Sequence, residues 1–200
     1  MRLARIAAIA LLGIVLVFTV ACSLSSSSSP TTTPTYWVGP DGETEHEYVM
    51  CGVNCYYVGG DGEDIELFNN PQAHDPSWDE LETFLASDKT DKRTYIDGWF
   101  VCADFTEMLH NNAEAAGIRA AFVDVILSSG EHACNAFNTT DEGLVYIDCT
   151  GVSGDFPCST DTTVNIVVGN MYIAKSIFPC TGWSSTWDSI GIVTNVDIQW

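Results

Sequence analysis

Two segments of the chain carry apolar residues at the spacing of one helix face. A capping box, Ser77-Trp78-Asp79-Glu80, begins a short amphipathic segment that runs to about residue 86. Residues 99–116 form the most regular pattern of the chain, with Phe105 on the apolar face. Gly117 follows this pattern, and glycine is the usual residue beyond a helix C-terminus. We therefore predict two helices.

Shorter apolar runs, separated by glycine, serine and asparagine, are typical of strands. Most of them follow the second helix, and consecutive runs are close enough to pair as antiparallel hairpins. Gly169-Asn170 is a two-residue hairpin signal between two such runs. Helices that precede a set of antiparallel strands predict an α+β domain. The predicted strands cover residues 65–68, 120–127, 132–137, 144–149, 164–168, 171–174 and 191–200.

The N-terminus has the pattern of an export signal. Two arginines precede an apolar stretch, residues 6–21, which is slightly shorter than the roughly 20 residues that span a bilayer comfortably. Thr19-Val20-Ala21-Cys22 resembles the end of a lipoprotein signal, in which Cys22 is acylated and becomes the mature N-terminus. The alternative is an uncleaved anchor. We predict that residues 1–22 are a signal peptide, a lipoprotein signal or an N-terminal anchor.

Residues 23–35 are rich in serine, threonine and proline and have no apolar periodicity, so we predict a flexible linker there. The folded domain then covers residues 36–200, which is about the length of one ordinary domain. We expect this domain on the extracellular side of the cell membrane, held there by a lipid or by the N-terminal helix. We also expect it to be a monomer.

The chain is strongly acidic, with 27 aspartates and glutamates against 7 lysines and arginines and a net charge of −20. Such a surface repels nucleic acid and anionic lipid, so neither is expected as a partner. Charge alone does not identify a substrate, because solubility or adaptation to high salt explains it as well.

Eight cysteines in an exported chain predict disulfide bridges. If Cys22 is lipidated, seven cysteines remain, and three bridges would leave one free thiol. Side chains alternate along a strand, so Cys149 should point away from the face that carries Cys134. We therefore expect Cys149 to pair with Cys158 or Cys180.

Four residues, His46, Cys51, Cys55 and His74, come nearest to a metal-binding pattern. Two cysteines three residues apart with scattered histidines match no strong zinc motif, and exported cysteines mostly pair with each other. Cys51 and Cys55 are close enough in sequence to form a bridge, although pairing elsewhere is equally open. We expect neither a metal nor a cofactor.

Cys102 lies in the first turn of the predicted helix 99–116. The positive end of the helix dipole and the unpaired N–H groups at such a position favour a thiolate. A hairpin that turns over residues 138–142 would place His132 directly opposite Asp148, on the same face. The carboxylate would then hold one imidazole nitrogen and leave the other for a thiol. We therefore predict a triad of Cys102, His132 and Asp148.

The order of these residues resembles the transglutaminase-like superfamily of papain-like cysteine enzymes. Its members carry a cysteine, a Gly-Ile-Pro-Ala-Arg-like segment, His-Ala and Asp-Pro-Thr. This chain has, in the same order, Cys102, Gly117-Ile118-Arg119-Ala120-Ala121, His132-Ala133 and Asp148-Cys149-Thr150. The resemblance covers residues 99–151. It implies an α+β fold in which the helix bearing the cysteine packs on an antiparallel sheet bearing the histidine and the aspartate.

The sequence departs from the superfamily pattern at four positions. Arg119, Ala121, Cys134 and Cys149 stand where the superfamily often has proline, arginine, tryptophan and proline, respectively. The three residue types of the triad are retained, whereas the lining of the cleft is altered.

The activity that the resemblance implies is acyl transfer through a thioester. Cys102 would attack an amide carbonyl, His132 would pass the proton to the leaving amine, and Asp148 would fix the imidazole tautomer. With water as second nucleophile the protein is a protease or amidase acting on a protein or peptide, and with an amine it is an acyltransferase. The alternatives are a surface-binding module without turnover and a disulfide-rich structural protein in which Cys102 is bridged.

Overall fold

The computed structural model of this chain describes residues 47–50, 58–152, 154 and 156–200. All of them belong to the compact unit that spans residues 36–200. Several sequence predictions concern residues outside the described ones, namely the export signal, the linker, the lipidation site Cys22 and a bridge between Cys51 and Cys55.

The described residues form a mixed helical and antiparallel structure, which confirms the predicted α+β class. Strands β1 and β2 form an antiparallel pair, and six further strands form one antiparallel sheet in the order β7-β6-β5-β4-β3-β8. No helix in this part of the chain is long and apolar enough to cross a bilayer. The elements are β1 (Glu47–Met50), β2 (Glu66–Asn69), α1 (Trp78–Ser87), α2 (Cys102–Ala115), β3 (Ala121–Leu127), β4 (Gly130–Thr139), β5 (Gly143–Asp148), β6 (Thr162–Val164), β7 (Ala174–Ser176) and β8 (Val193–Gln199).

Helix α2 begins at Cys102, and not at residue 99 as the apolar pattern predicts. The carboxylate of Asp104 accepts hydrogen bonds from the N–H groups of Val101 (2.7 Å) and Gly60 (2.8 Å). The bond from Val101 caps the helix, and the bond from Gly60 ties the helix start to a loop 44 residues earlier in the chain. The cap therefore determines the start of the helix and makes Cys102 its first residue.

The six-stranded sheet is buried on both faces. On one face, apolar residues of α1 and α2 pack against β4 and β5, with Phe105 fully buried among them. On the other face, Val123 of β3 packs with Tyr172 and Val193. The N–H of Tyr172 donates to the carbonyl of Gly191 at 2.8 Å. The segments that precede β7 and β8 therefore meet and cover the face that is turned away from the helices.

The two-residue hairpin predicted at Gly169-Asn170 is wrong in length. Strands β6 and β7 do pair, with Val164 opposite Ala174, but the residues between them leave the sheet. Their backbone is bonded elsewhere, as the N–H of Gly169 donates to the carbonyl of Val193 at 2.8 Å. These long-range bonds replace the hairpin ladder that the local pattern favours.

The cysteines pair differently from the prediction. Cys158 and Cys180 form a disulfide with each other, so the expected bridge from Cys149 to one of them is wrong. Cys102, Cys134 and Cys149 are all free, and the expectation of one remaining thiol is therefore also wrong. The predicted alternation is confirmed, because Cys149 lies in the helix-side cluster and Cys134 in the cluster on the opposite face.

Candidate active site

Cys102 is the first residue of α2, and its thiol is free and partly exposed. It packs against a buried cluster that includes Phe122 and Ala133 of the sheet. Gly60 lies close to the turn before the helix, where an added Cβ would come within 2.9 Å of the backbone nitrogen of Trp99. The helix start is thus held by a carboxylate cap and by close backbone packing, with the thiol at the positive end of the helix dipole.

His132 and Asp148 contact each other, as the sequence predicts. Nε2 of His132 lies 2.8 Å from Oδ2 of Asp148. Their side chains are 12% and 11% exposed, so the pair is largely removed from water. Cys102 lies close enough to the same imidazole to contribute to the raised pKa of His132. Since Nε2 is occupied by Asp148, Nδ1 is the ring nitrogen available to the thiol.

The predicted register between β4 and β5 is wrong by two residues. Phe137 pairs with Val145, and the turn consists only of the residues between Thr139 and Gly143. Gly143 has a φ of 73°, the left-handed conformation that closes a three-residue hairpin. A shift of two residues keeps every side chain on its predicted face, so the histidine and the aspartate share a face but are offset along the strands.

The two side chains meet where β4 and β5 separate. The ladder between these strands ends at Asn135 and Ile147, and beyond it Asp148 pairs with Thr162 of β6. The first residues of β4 pair with β3. The contact between His132 and Asp148 spans this gap.

The ion pair shifts the pKa of both partners. Burial alone would lower the pKa of His132, but the charge and hydrogen bond of Asp148, together with smaller contributions from Cys102, raise it to about 10. Burial would raise the pKa of Asp148, but the charge of His132 and hydrogen bonds from His132 and Thr150 lower it to about 2. At neutral pH the pair is therefore an imidazolium next to a carboxylate.

Tyr172 belongs to the site, although no sequence pattern points to it. Its O–H donates to Oδ2 of Asp148 at 2.9 Å, the same oxygen that faces His132. The backbone N–H of Thr150 donates to the other oxygen, Oδ1, also at 2.9 Å. The tyrosine ring is 2% exposed and stands at 83° to the imidazole, with 5.2 Å between ring centroids. Both oxygens of the carboxylate are thus held in place.

The other two free thiols differ from Cys102 in burial. Cys134 and Cys149 are 1% and 2% exposed. Burial raises the pKa of each thiol well above its ordinary value, which keeps both neutral and unreactive at neutral pH. Among the free thiols of the described residues, Cys102 alone is partly exposed, and it lies near the imidazole of His132.

A cavity of about 320 Å³ opens beside the ion pair. His132 and Asp148 form part of its wall, and Trp187, Asp188 and Ile190 line it together with small residues and threonines. Its volume is at the lower end of the range of ligand sites in proteins, about 300–1,000 Å³.

Of the residues nearest to a metal-binding pattern, His74 is the one that the structure describes. Its Nε2 lies 3.0 Å from a carboxylate oxygen of Glu80 on α1. Within the described ranges, no three histidine, cysteine, aspartate or glutamate side chains are grouped so that they could hold a metal ion.

The site therefore consists of an imidazole and a carboxylate in contact, a thiol near the imidazole, Tyr172 behind the carboxylate and a cavity alongside. Comparison with models of protein families, with curated proteins and with solved structures found no match to this chain. The functional interpretation of the site accordingly depends on its own residues and their geometry.

Proposed function

We propose that this protein is a cysteine hydrolase or acyltransferase that acts on amide bonds through a thioester on Cys102. The observation that carries the proposal is the imidazole of His132, which lies 2.8 Å from Asp148 and close enough to Cys102 for the two to interact electrostatically. A thiol, an imidazole and a carboxylate in this order of contacts are the parts of a nucleophilic triad. The arrangement also supports a papain-like core of the transglutaminase type, with the cysteine at a helix start and the other two residues on neighbouring strands.

In the first half of the reaction, the sulfur of Cys102 attacks the carbonyl carbon of an amide. The imidazolium of His132 gives its proton to the amide nitrogen, the C–N bond breaks, and the amine leaves. In the second half, a water molecule or an amine gives a proton to His132 and attacks the thioester. This step releases an acid or a new amide and restores the thiolate. Asp148 keeps the ring oriented in both halves.

Negative charge develops on the carbonyl oxygen in each half of the reaction. The backbone N–H of Cys102 is among the first N–H groups of α2, and such groups have no acceptor within the helix. It is directly attached to the nucleophilic residue and lies at the positive end of the helix dipole. We assign it as a donor to the oxyanion.

The substrate that fits this proposal is a protein or peptide. Cys102 is partly exposed, and His132, the imidazole assigned to it, lines a cavity that can take part of a polypeptide. Export and anchoring through residues 1–22 would put the activity on the extracellular side of the cell membrane, in a monomeric protein.

Thiol labelling and turnover test the proposal. Iodoacetamide should modify Cys102 in the folded protein and leave Cys134 and Cys149 unmodified, as located by mass spectrometry. Cys102→Ala and His132→Ala should each abolish hydrolysis of a peptide library. Asp148→Asn should lower the rate by orders of magnitude while Cys102 remains labelled, because the imidazole loses its orienting acceptor.

Cys149→Ala is the matched control, since it removes a buried thiol from the helix-side cluster, and it should retain activity. Equal labelling of the three thiols in the folded protein would contradict an activated nucleophile. A protein that turns over no amide, but whose Cys102→Ala variant binds peptides as the native protein does, would be a surface-binding module instead.

A further inference from the structure

The cavity beside His132 contains one acidic side chain that is outside the ion pair. His132 and Asp148 neutralise each other there, which leaves the carboxylate of Asp188 as the remaining charge of the lining. No lysine or arginine of the described residues lines the cavity. The nearest in sequence, Lys175, follows the lining residue Ala174 on β7 and so points to the other side of that strand. The cavity therefore favours a positive charge.

Trp187 gives the same cavity an aromatic wall. Its ring packs against Phe156 with 5.9 Å between centroids, and Phe156 packs in turn against Trp183 at 4.9 Å. Ile190 adds an apolar side chain. A cavity lined by an indole ring and a carboxylate suits a guanidinium or ammonium group, because the face of the ring and the carboxylate both attract a cation.

His132, the imidazole of the proposed triad, also lines the cavity, which places the cavity on the imidazole side of the site. We infer that it binds a lysine or arginine side chain of the substrate, close to the amide bond that Cys102 attacks. A volume of about 320 Å³ accommodates one such side chain. The apolar stem would lie along Trp187 and Ile190, and the charged end would meet Asp188.

This inference rests on the proposed function, but it concerns binding and can be tested without turnover. The protein to use is the full chain with Cys102→Ala, and the probes are N-acetyl-arginine amide and N-acetyl-citrulline amide. These probes have nearly the same shape and differ in charge. In an NMR titration at low ionic strength, the arginine probe should bind about tenfold more tightly than the citrulline probe.

Asp188→Asn should reduce this preference to less than about twofold, because it removes the carboxylate and little else. Glu142→Gln is the matched control. It removes an equal charge from an exposed position in the β4–β5 turn, at the opposite end of β5 from Asp148, and the preference should be unchanged.

Equal affinity for the two probes would overturn the inference, as would an unchanged preference in Asp188→Asn or the absence of binding at millimolar concentration. Failure of the proposed function is a separate result. If the protein prefers the arginine probe but cleaves no amide, the proposed function is wrong and the cavity is still a binding site for a cationic group. If the protein is active but has the same kcat/KM for peptides with arginine and with citrulline next to the cleaved bond, the proposed function stands and this inference is wrong.

Discussion

Tyr172 and His132 share one acceptor, the Oδ2 atom of Asp148, at distances of 2.9 and 2.8 Å. The hydroxyl is a neutral donor. It therefore stabilises the negative charge of the carboxylate but does not replace the imidazolium as the charged partner of Asp148. The tyrosine ring also packs edge-on against the imidazole, which restrains the angle between the histidine and the aspartate. We expect Tyr172 to be a positioning residue that acts on His132 through Asp148.

Tyr172→Phe tests this role, because it keeps the ring and removes the hydroxyl. We expect kcat to fall about tenfold with little change in KM, since a hydrogen bond to a charged group is lost and substrate contacts are not. The pKa of His132 should rise further, because Asp148 then directs more of its charge toward the imidazolium. NMR titration of His132 and the pH profile of kcat/KM measure the two effects.

Tyr146→Phe is the control for this experiment. Tyr146 lies on β5, packs against the same buried cluster as Tyr172 and is on the same face as Asp148. Loss of its hydroxyl should leave the pH profile unchanged. If Tyr172→Phe lowers thermal stability but leaves the pKa of His132 at its native value, Tyr172 is a packing residue only.

The ion pair should make the stability of the protein depend on pH at both ends of the scale. The pKa of His132 is raised from 6.5 to about 10, so its contribution is complete below pH 6.5 and is lost as the pH rises through about 10. The pKa of Asp148 is lowered from 3.8 to about 2, so its contribution is complete above pH 3.8 and is lost as the pH falls through about 2. The pair therefore stabilises the fold most between pH 3.8 and 6.5.

Urea unfolding of the native protein and of His132→Gln between pH 2 and pH 10 checks this prediction. Glutamine is polar but cannot carry the proton, so the variant leaves Asp148 without a charged partner. We expect the variant to be less stable by about 3 kcal/mol at mildly acidic pH, with a difference that shrinks toward both extremes. A difference that stays constant over the whole range would mean that the two side chains are not an ion pair in the folded protein.

Asp161 should produce a separate pH effect near neutrality. It is 3% exposed, and burial together with the nearby charge of Asp91 raises its pKa from 3.8 to about 7. A raised pKa of this kind means that the contribution of the group to stability is complete below pH 3.8 and is lost as the pH rises through about 7. The buried carboxylate therefore destabilises the fold in alkaline solution.

Asp161→Asn removes this titration and keeps an oxygen that can accept a hydrogen bond from the Ser159 hydroxyl. In the native protein this hydroxyl lies 3.0 Å from the carboxylate of Asp161. Relative to the native protein, the variant's free energy of unfolding should rise between pH 3.8 and about 7, by about 4 kcal/mol in all, and stay level at higher pH. Glu142→Gln, at an exposed position, should show no such change. Equal stability of native protein and Asp161→Asn at alkaline pH would show that the buried carboxylate is accommodated without strain.

Properties that depend on neighbouring residues were predictable from the sequence. The cap of α1 is Ser77, whose hydroxyl accepts from the N–H of Glu80, and α2 ends before Gly117 at a φ of 83°. The shared face of His132 and Asp148 was predictable for the same kind of reason. Side chains on a strand alternate with a period of two, so a register error of two residues did not separate them.

Contacts between distant residues were not predictable in this way. The start of α2 depends on Asp104 and Gly60, which are 44 residues apart, and the bond from Tyr172 to Asp148 joins residues 24 apart. The pairing of Cys158 with Cys180 likewise follows from the path of the loops between them. No local sequence pattern predicts such contacts, because they form only when separate elements pack together.

By itself, then, the sequence determined the class of most elements, the residues that share a face and the three residues of the candidate triad. These properties follow from backbone periodicity and from residue chemistry. The tertiary structure alone decided the register of β4 and β5, the buried tyrosine behind Asp148 and the cavity that Trp187 and Asp188 line. Each of these depends on which surfaces meet, and that choice is made by long-range packing and hydrogen bonding together.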